Sequence, residues 1–533
     1  MNQPTYLRPW LTGWSWGTRI ALFIVLLSAI VQFVAFALSQ NYVIAYLGAQ
    51  PEDVSFSIQI CYTGILSALP LQSRLLRWFE MKYYLLAVMM VGILLSIACI
   101  YTTDMILFFI IRYFQGVVVC TIAASTITVI PGFLKLEHRQ AVSSSIFYGT
   151  VLSSSVLIAV VASQVSLNSD FTVIYKYLIL FQLLSMLIVL TGFSNKSNIR
   201  RYPLYQIDWT GTVFLACAVI GLAFTMVYGS KYYWFHDQRI LNAALISLAG
   251  TMLYIWRSLT IKRPLLDLRV FTYPKFWLGL ALLALYYGMK ESINIVFGYT
   301  AAVLQWSAPQ VVELGLVNIA GLLLFLIIAA LILIRRKDAT LGFLIAGFSL
   351  SLIYHLWMYF IWTPDLSFND LLAPMFLQGA ASGILFVPIM IFILTSVPAS
   401  TGITGLAIAA CARFVSLLNA GAGFYNLQLY YSQLFKEGFL NHITAVDGGA
   451  AARLSGFKQL FMSKGYDAGQ AGTLANVSLA KALAVQVQLL SSRATFLFIA
   501  EITAVILLLA VTVLLIKILL RKQQPEILAV STN

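Results

Sequence analysis

Charged side chains set deep inside apolar stretches of this 533-residue chain are the residues whose chemistry demands an account, foremost Arg112, Lys290, Glu291 and Arg413. Arg112 lies in the phrase Ile111-Arg112-Tyr113-Phe114-Gln115-Gly116, inside an apolar run from Met105 to Ile130. A charge at the centre of a membrane helix costs about 2.5–3.5 kcal/mol on insertion scales, so it normally faces a bundle interior or a water-filled cavity. Arg112 is therefore either a structural arginine bonded to neighbouring helices or part of a transport pathway. Phe376-Leu377-Gln378-Gly379 echoes the Phe114-Gln115-Gly116 phrase in a second apolar run, which suggests two related halves. Lys290 and Glu291 are adjacent, with Asn294 one turn on. In an unbroken helix successive side chains point about 100° apart. Each of the two charges is thus expected to find its partner on another helix or in water. Arg413 precedes Asn419-Ala420-Gly421-Ala422-Gly423, where Gly421 and Gly423 would permit close helix contact.

Composition restricts what these residues can do. With 61% hydrophobic and 10% charged side chains, the chain is not a soluble globular protein. The net charge of +14 is spread over short loops, a positive-inside pattern and not a nucleic-acid surface. No metal-ligand spacing, P-loop, nucleophile elbow or dinucleotide fingerprint occurs, so neither catalysis nor a cofactor is expected. His138, His236, His355 and His442 are scattered and read as interfacial or core residues. The five cysteines, all within apolar runs, read as buried inert thiols.

The elements that must position these charges are membrane helices, each needing about 20 apolar residues. Fourteen runs qualify: Ile20–Ser39, Val54–Leu71, Tyr83–Tyr101, Met105–Ile130, Val142–Val165, Tyr177–Phe193, Trp209–Tyr228, Ile240–Trp256, Trp277–Leu304, Val311–Ile334, Leu341–Trp362, Leu371–Val397, Gly402–Leu427 and Ala494–Leu519. Basic residues such as Arg74, Arg77, Lys82, Arg257 and Arg335 fall in alternate loops, and acidic ones such as Glu52, Asp53 and Asp365 in the others. Both termini are then expected in the cytoplasm, consistent with an even number of spans. Ser39, Gln40 and Asn41 end the first span as a polar cluster that either lines a cavity or marks the interface. Tyr286, Tyr287 and Phe297 near the charges suit flat or cationic ligands, or serve as interface anchors. The segment from Tyr430 to Arg493 is the one long external stretch. It combines a turn-like Gly448-Gly449-Ala450-Ala451 with an amphipathic helix over Leu474–Leu490 leading into the last span.

Together these residues resemble the major facilitator superfamily, within it the fourteen-span drug:proton antiporters of the EmrB/QacA type. Arg112 followed by Gln115-Gly116 looks like the family's fourth-helix motif. Ile207-Asp208-Trp209-Thr210-Gly211 is similar to the phrase opening its extra central helix pair, and Pro264 to Phe271 to the loop entering the second half. Leu304-Gln305-Trp306-Ser307-Ala308 with Glu313-Leu314-Gly315, and Arg413 with Gly421 and Gly423, match later landmarks. Departures occur where Arg74, Arg77 and Lys82 stand in the cytoplasmic signature without its acid and second glycine. The proline-rich fifth-helix signature is replaced by Gly149 to Val156, and the first-helix acid by the Ser39-Gln40 region.

The resemblance implies an all-α polytopic fold with an N-terminal six-helix bundle over 1–194. Two extra helices follow over 195–265, and a C-terminal bundle over 266–533 carries the external loop 430–493. It also implies proton-coupled efflux of amphipathic or cationic compounds across the plasma membrane, the inner one in a two-membrane bacterium. Glu291, Lys290, Asn294, Arg112 and Arg413 are then the coupling candidates, and Glu291 a replacement for the missing first-helix acid. Gln115, Gly116, Gln378, Gly379, Gly421 and Gly423 would pack helices, while Arg74, Arg77 and Lys82 would form a cytoplasmic gate. Expected partners are a small-molecule substrate, protons, membrane lipid and a periplasmic adaptor at 430–493, which otherwise acts as a lid. The rival readings are a transporter for one metabolite and a non-transporting sensor or scaffold.

Overall fold

The computed structural model describes residues 6–38, 47–129, 171–195, 207–262, 264–336, 339–398, 401–443 and 447–530. The helices are α1 (Ser15–Leu38), α2 (Pro51–Trp78), α3 (Met81–Tyr101), α4 (Met105–Val129), α5 (Phe171–Gly192), α6 (Trp209–Tyr228) and α7 (Gln238–Thr260). They continue with α8 (Pro274–Lys290), α9 (Ile293–Ala302), α10 (Ala308–Arg335), α11 (Thr340–Ile361), α12 (Phe368–Thr395), α13 (Gly402–Leu440), α14 (Gly448–Ser463) and α15 (Ala468–Val530). Twelve stretches of described helix are long and apolar enough to cross a membrane. Helix α1 carries the first expected span, and the expected span Val142–Val165 lies outside the described residues, as do Ser39, Gln40, Asn41 and Gly149 to Val156. Large apolar side chains stay exposed on these helices, among them Leu94, Leu187 and Met252. Lipid is as apolar as they are, so burying them in protein gains little in a bilayer.

The helix starts follow from local sequence. Pro51 occupies the first position of α2, where its missing N–H costs nothing, and Asp53 accepts from the Gln50 N–H at 3.0 Å. Asp208, Asp237 and Asp447 are the N-caps of α6, α7 and α14, each accepting a backbone N–H of the first turn.

The described residues cluster into two units, one of 1–288, 322–340 and 383–419, the other of 289–321, 341–382 and 420–533. In the first unit, α2 and α4 lie backbone against backbone. A Cβ on Gly64 would overlap the Tyr113 carbonyl oxygen, and one on Gly116 the carbonyl of Cys61. Helices α6 and α7 also approach closely at Gly221 and Gly250, though less so, and Arg257 pairs with Asp208 at 2.6 Å across them. Phe56 of α2 packs on Phe224 and Tyr228, and the Tyr228 hydroxyl donates to Asp53 at 2.6 Å, which fixes α6 to α2. A strap at the start of the chain bridges to the end of α5: Arg8 N–H donates to the Gly192 carbonyl, Ser194 N–H to that of Tyr6, and Leu7 and Leu11 are buried beneath.

In the second unit, Gly321 of α10 meets the Phe376 carbonyl and Ala380 of α12. Helix α15 runs unbroken for 63 residues, about 95 Å at 1.5 Å per residue, against a hydrocarbon layer of about 30 Å. Its polar first part and α14 pack together, and Ser432 near the end of α13 meets Ser491 of α15 at 3.1 Å. Two expectations change here. Gly448-Gly449-Ala450-Ala451 is the first turn of α14, because Asp447 accepts from the N–H of Gly449 and Ala450 and so nucleates a helix. The amphipathic helix is not a separate element but the beginning of α15.

Gly421 and Gly423 differ as well. Both are exposed on α13, and a Cβ on Gly423 would meet nothing within 4 Å. The close approaches are instead at Gly64, Gly116 and Gly321. Alanine at Gly64 or Gly116 should therefore lower the stability of the detergent-purified protein by about 1–3 kcal/mol, the usual cost of overpacking. Alanine at Gly423 should not lower it. Thermal melting of the three variants checks this, and equal melting at all three would refute the assignment.

Candidate functional site at a helix break

The ninth expected span is not one helix. Helix α8 stops at Lys290 and α9 begins at Ile293. Across the gap the backbone tightens: Ser292 N–H donates to Met289 O (3.3 Å), Asn294 N–H to Glu291 O (3.0 Å) and Ile295 N–H to Ser292 O (3.1 Å). These are three-residue spacings in place of four. The Lys290 carbonyl, which Asn294 N–H would serve in a regular helix, is thereby released.

The break corrects the expectation for the charges. Lys290 Nζ and Glu291 Oε1 face each other at 3.2 Å, each with less than a fifth of its side chain exposed. The 100° argument holds only for a continuous helix, and the turn at 291–292 removes that constraint. The order of charges also suits the broken ends. Lys290 closes α8, where the helix dipole is negative, and Glu291 precedes α9, where it is positive. Asn294 adds a hydrogen bond from Nδ2 to Glu291 Oε2 at 2.8 Å.

Side chains from other helices take up what the break leaves open. Gln378 of α12, 4% exposed, donates from Nε2 to the freed Lys290 carbonyl at 2.9 Å. Its Oε1 accepts from Asn318 Nδ2 of α10 at 2.5 Å, and Asn318 also donates to the Met375 carbonyl at 2.8 Å. On another side, Ser292 meets His355 of α11 at 3.0 Å. The Met289 sulfur accepts from Thr503 of α15 at 3.2 Å. Thus Lys290, Glu291, Asn294 and Gln378, singled out in the sequence, are brought together. Asn318, Ser292, His355 and Thr503 were not expected. Asn318 and His355 stand in apolar runs, Ser292 and Thr503 are small hydroxyl residues near charged ones, and no spacing marks any of the four as a partner.

The remaining candidates lie elsewhere. Arg112, 0% exposed, donates from Nη1 to Gln115 Oε1 at 2.8 Å and to the Gln32 carbonyl of α1 at 3.4 Å. Gln115 in turn reaches the Cys99 sulfur at 3.5 Å. Arg413 lies over the Tyr287 ring at 5.5 Å, Tyr287 is edge-on to Tyr286, and Tyr286 contacts Phe386, which makes a buried cation–aromatic cluster. Phe297 is half-buried on α9 and Gly379 is buried on α12. Arg74 donates to the Pro264 carbonyl at 2.9 Å, Lys82 to Asn195 Oδ1 at 2.8 Å, and Arg77 is exposed. Among the described residues no cluster of histidine, cysteine or carboxylate is arranged to hold a metal.

No family profile matches the chain. Among curated proteins, it is 27% identical over 198 residues to the colistin resistance protein EmrB of Acinetobacter baumannii, covering 34% of this chain and 37% of that one. To the multidrug export protein EmrB of Escherichia coli K12 it is 24% identical over 203 residues, 36% of this chain and 38% of the relative. The match to the probable multidrug resistance protein EmrY of the same organism is longer, 21% identical over 367 residues, 66% of this chain and 68% of that one. The first two matches thus span less than two fifths of the relatives' own length. Among solved structures, a POT family transporter in complex with 5-aminolevulinic acid superposes with a TM-score of 0.56 at 11% identity, over 77% of this chain and 90% of that one. The xylose transporter XylE of E. coli gives 0.50 at 13%, over 76% and 89%. At such identities the likeness speaks for the fold. The chain is a polytopic all-α membrane protein with the major facilitator fold. The resemblance carried by its motifs agrees with relatives named as EmrB and EmrY.

Proposed function

We propose that the protein is a secondary transporter that exports amphipathic, including cationic, organic compounds from the cytoplasm in exchange for protons. The observation that carries this reading is the ion pair at a helix break, since discontinuous helices with charged ends mark the binding sites of such transporters. A pure scaffold has no use for Lys290 and Glu291 at that depth, where each charge costs free energy. The relatives named for multidrug export and drug resistance support the direction and the class of substrate. Spans one to six would rock against spans nine to fourteen around a midplane cavity, and the pair α6–α7 would ride with the first bundle. Lipid surrounds the whole, and both termini lie in the cytoplasm of this reading.

Glu291 is the proton-binding carboxylate in this account. A neutral Glu291 releases Lys290 and loses its attraction for a cationic compound; a charged one recovers both. Substrate and proton then compete for one site, which is the physical basis of exchange. Glu291→Gln keeps shape and the Asn294 hydrogen bond but cannot cycle a proton. The purified variant should fold, bind ligand and exchange it without a gradient, while gradient-driven transport in vesicles stops. Gradient-driven transport at the wild-type rate by a well-folded Glu291→Gln protein would sink the assignment.

The segment 430–493 is proposed as the docking surface of a periplasmic adaptor. Helices α13 and α15 are each longer than a membrane is thick, and Tyr430, Leu434, Leu460 and Val477 are exposed on the end of α13, on α14 and on the first part of α15. Deleting 448–472 should leave membrane insertion and vesicle transport intact and abolish resistance in cells. Loss of vesicle transport as well would mean a lid over the pathway, not a docking surface.

A further inference from the structure

We infer that His355 is a positioning residue for the helix break, a neutral imidazole that accepts the Ser292 hydroxyl and so holds α9 where Glu291 meets Lys290 and Asn294. The inference rests on the reading of this break as the coupling site and adds a residue to it.

The tautomer follows from the partners. Nδ1 faces the Ser351 carbonyl oxygen at 2.7 Å, and a carbonyl only accepts, so Nδ1 carries the hydrogen. Nε2 faces Ser292 Oγ at 3.0 Å. The imidazole is 1% exposed, Ser351 Oγ lies 3.5 Å from Nδ1, the rings of Tyr354 and Phe496 pack against it, and no charged group among the described residues bonds to it. A cation in that setting is strongly disfavoured. Nε2 is therefore bare, and the Ser292 hydroxyl shares its one hydrogen between Nε2 and the Met289 carbonyl.

Ser292 follows Glu291 directly, so this bond ties the turn that carries the carboxylate to α11. It complements Gln378, which holds the Lys290 carbonyl from α12. The Ser292 hydroxyl has a second acceptor, the Met289 carbonyl at 2.7 Å. Removing the imidazole thus leaves no buried donor stranded: the hydroxyl turns to Met289, within its own segment, and only the tether between helices is lost. A residue that merely filled space would be replaced by phenylalanine without consequence at the break.

The test compares His355→Phe, His355→Gln and Ser292→Ala in the purified full chain by amide hydrogen exchange over residues 289–298, with thermal melting as a control. His355→Phe should melt within about 2 °C of the parent and exchange about tenfold faster over 289–298, the factor one ordinary buried hydrogen bond supplies. Glutamine, whose amide oxygen reaches the Nε2 position, should restore the parent rate. Ser292→Ala should behave as His355→Phe does, and it decides the matter if the phenylalanine variant fails to fold. Unchanged exchange in Ser292→Ala and His355→Phe, or a glutamine variant as fast as the phenylalanine one, overturns the inference. Vesicle transport measured on the same variants separates the two claims. If exchange follows this order and transport does not, the tether stands and the coupling role of the break falls.

Discussion

A carbonyl oxygen without a partner costs several kcal/mol in a bilayer, where no water can reach it. The second unit is arranged around one such group, the Lys290 carbonyl released where α8 ends. Gln378 captures it, Asn318 holds Gln378, and the Met375 carbonyl holds Asn318. A helix can be interrupted at this depth only because that chain of donors and acceptors closes. Once interrupted, it can set a lysine and a glutamate side by side, which a regular helix forbids, with each charge at the helix end that favours it. The break is thus both the cost and the reason for the polar residues around it.

The same logic appears in the first unit in a milder form. Arg112 and Gln378 lie in the similar phrases Phe114-Gln115-Gly116 and Phe376-Leu377-Gln378-Gly379, and each donates to a main-chain carbonyl of another helix, that of Gln32 in α1 and that of Lys290 in α8. In both places a glycine brings the helix carrying that phrase against a neighbour, Gly64 with Gly116 and Gly321 with Phe376. In α1 no break is seen over Ser15–Leu38, and the donor is an arginine bonded to its own Gln115. Around Arg112 the bond is part of a fixed polar lock, whereas at Lys290 the corresponding bond supports a largely buried ion pair.

Hydropathy made most of the membrane helices legible, because an apolar run of that length has few other uses, and the echo at Gln378-Gly379 pointed to the helix that supports the site. The break itself was hidden. Neither proline nor glycine stands at 291–292, and the nearest glycine, Gly288, is still helical, so the punctuation that normally marks an interruption is missing. What interrupts the helix is tertiary: partners on α10, α11 and α12 that satisfy the loosened groups. Asn318 and His355 were illegible for the same reason, since their value depends on what lies opposite them. At Gly448 the glycine signal misled, because Asp447 caps a helix there; at Gly423 the small residue is present without a neighbour to approach it.

The central claim is that movement of a compound through this fold is tied to movement of a proton. It is tested most directly with the wild-type protein in sealed vesicles containing a pH-sensitive dye, when a gradient of a membrane-impermeant amphipathic cation is imposed in the absence of any pH gradient. The account predicts that the cation gradient drives protons in the opposite direction, at a rate that saturates with cation concentration and vanishes in protein-free vesicles. Saturable movement of the cation with no accompanying change in internal pH would contradict it.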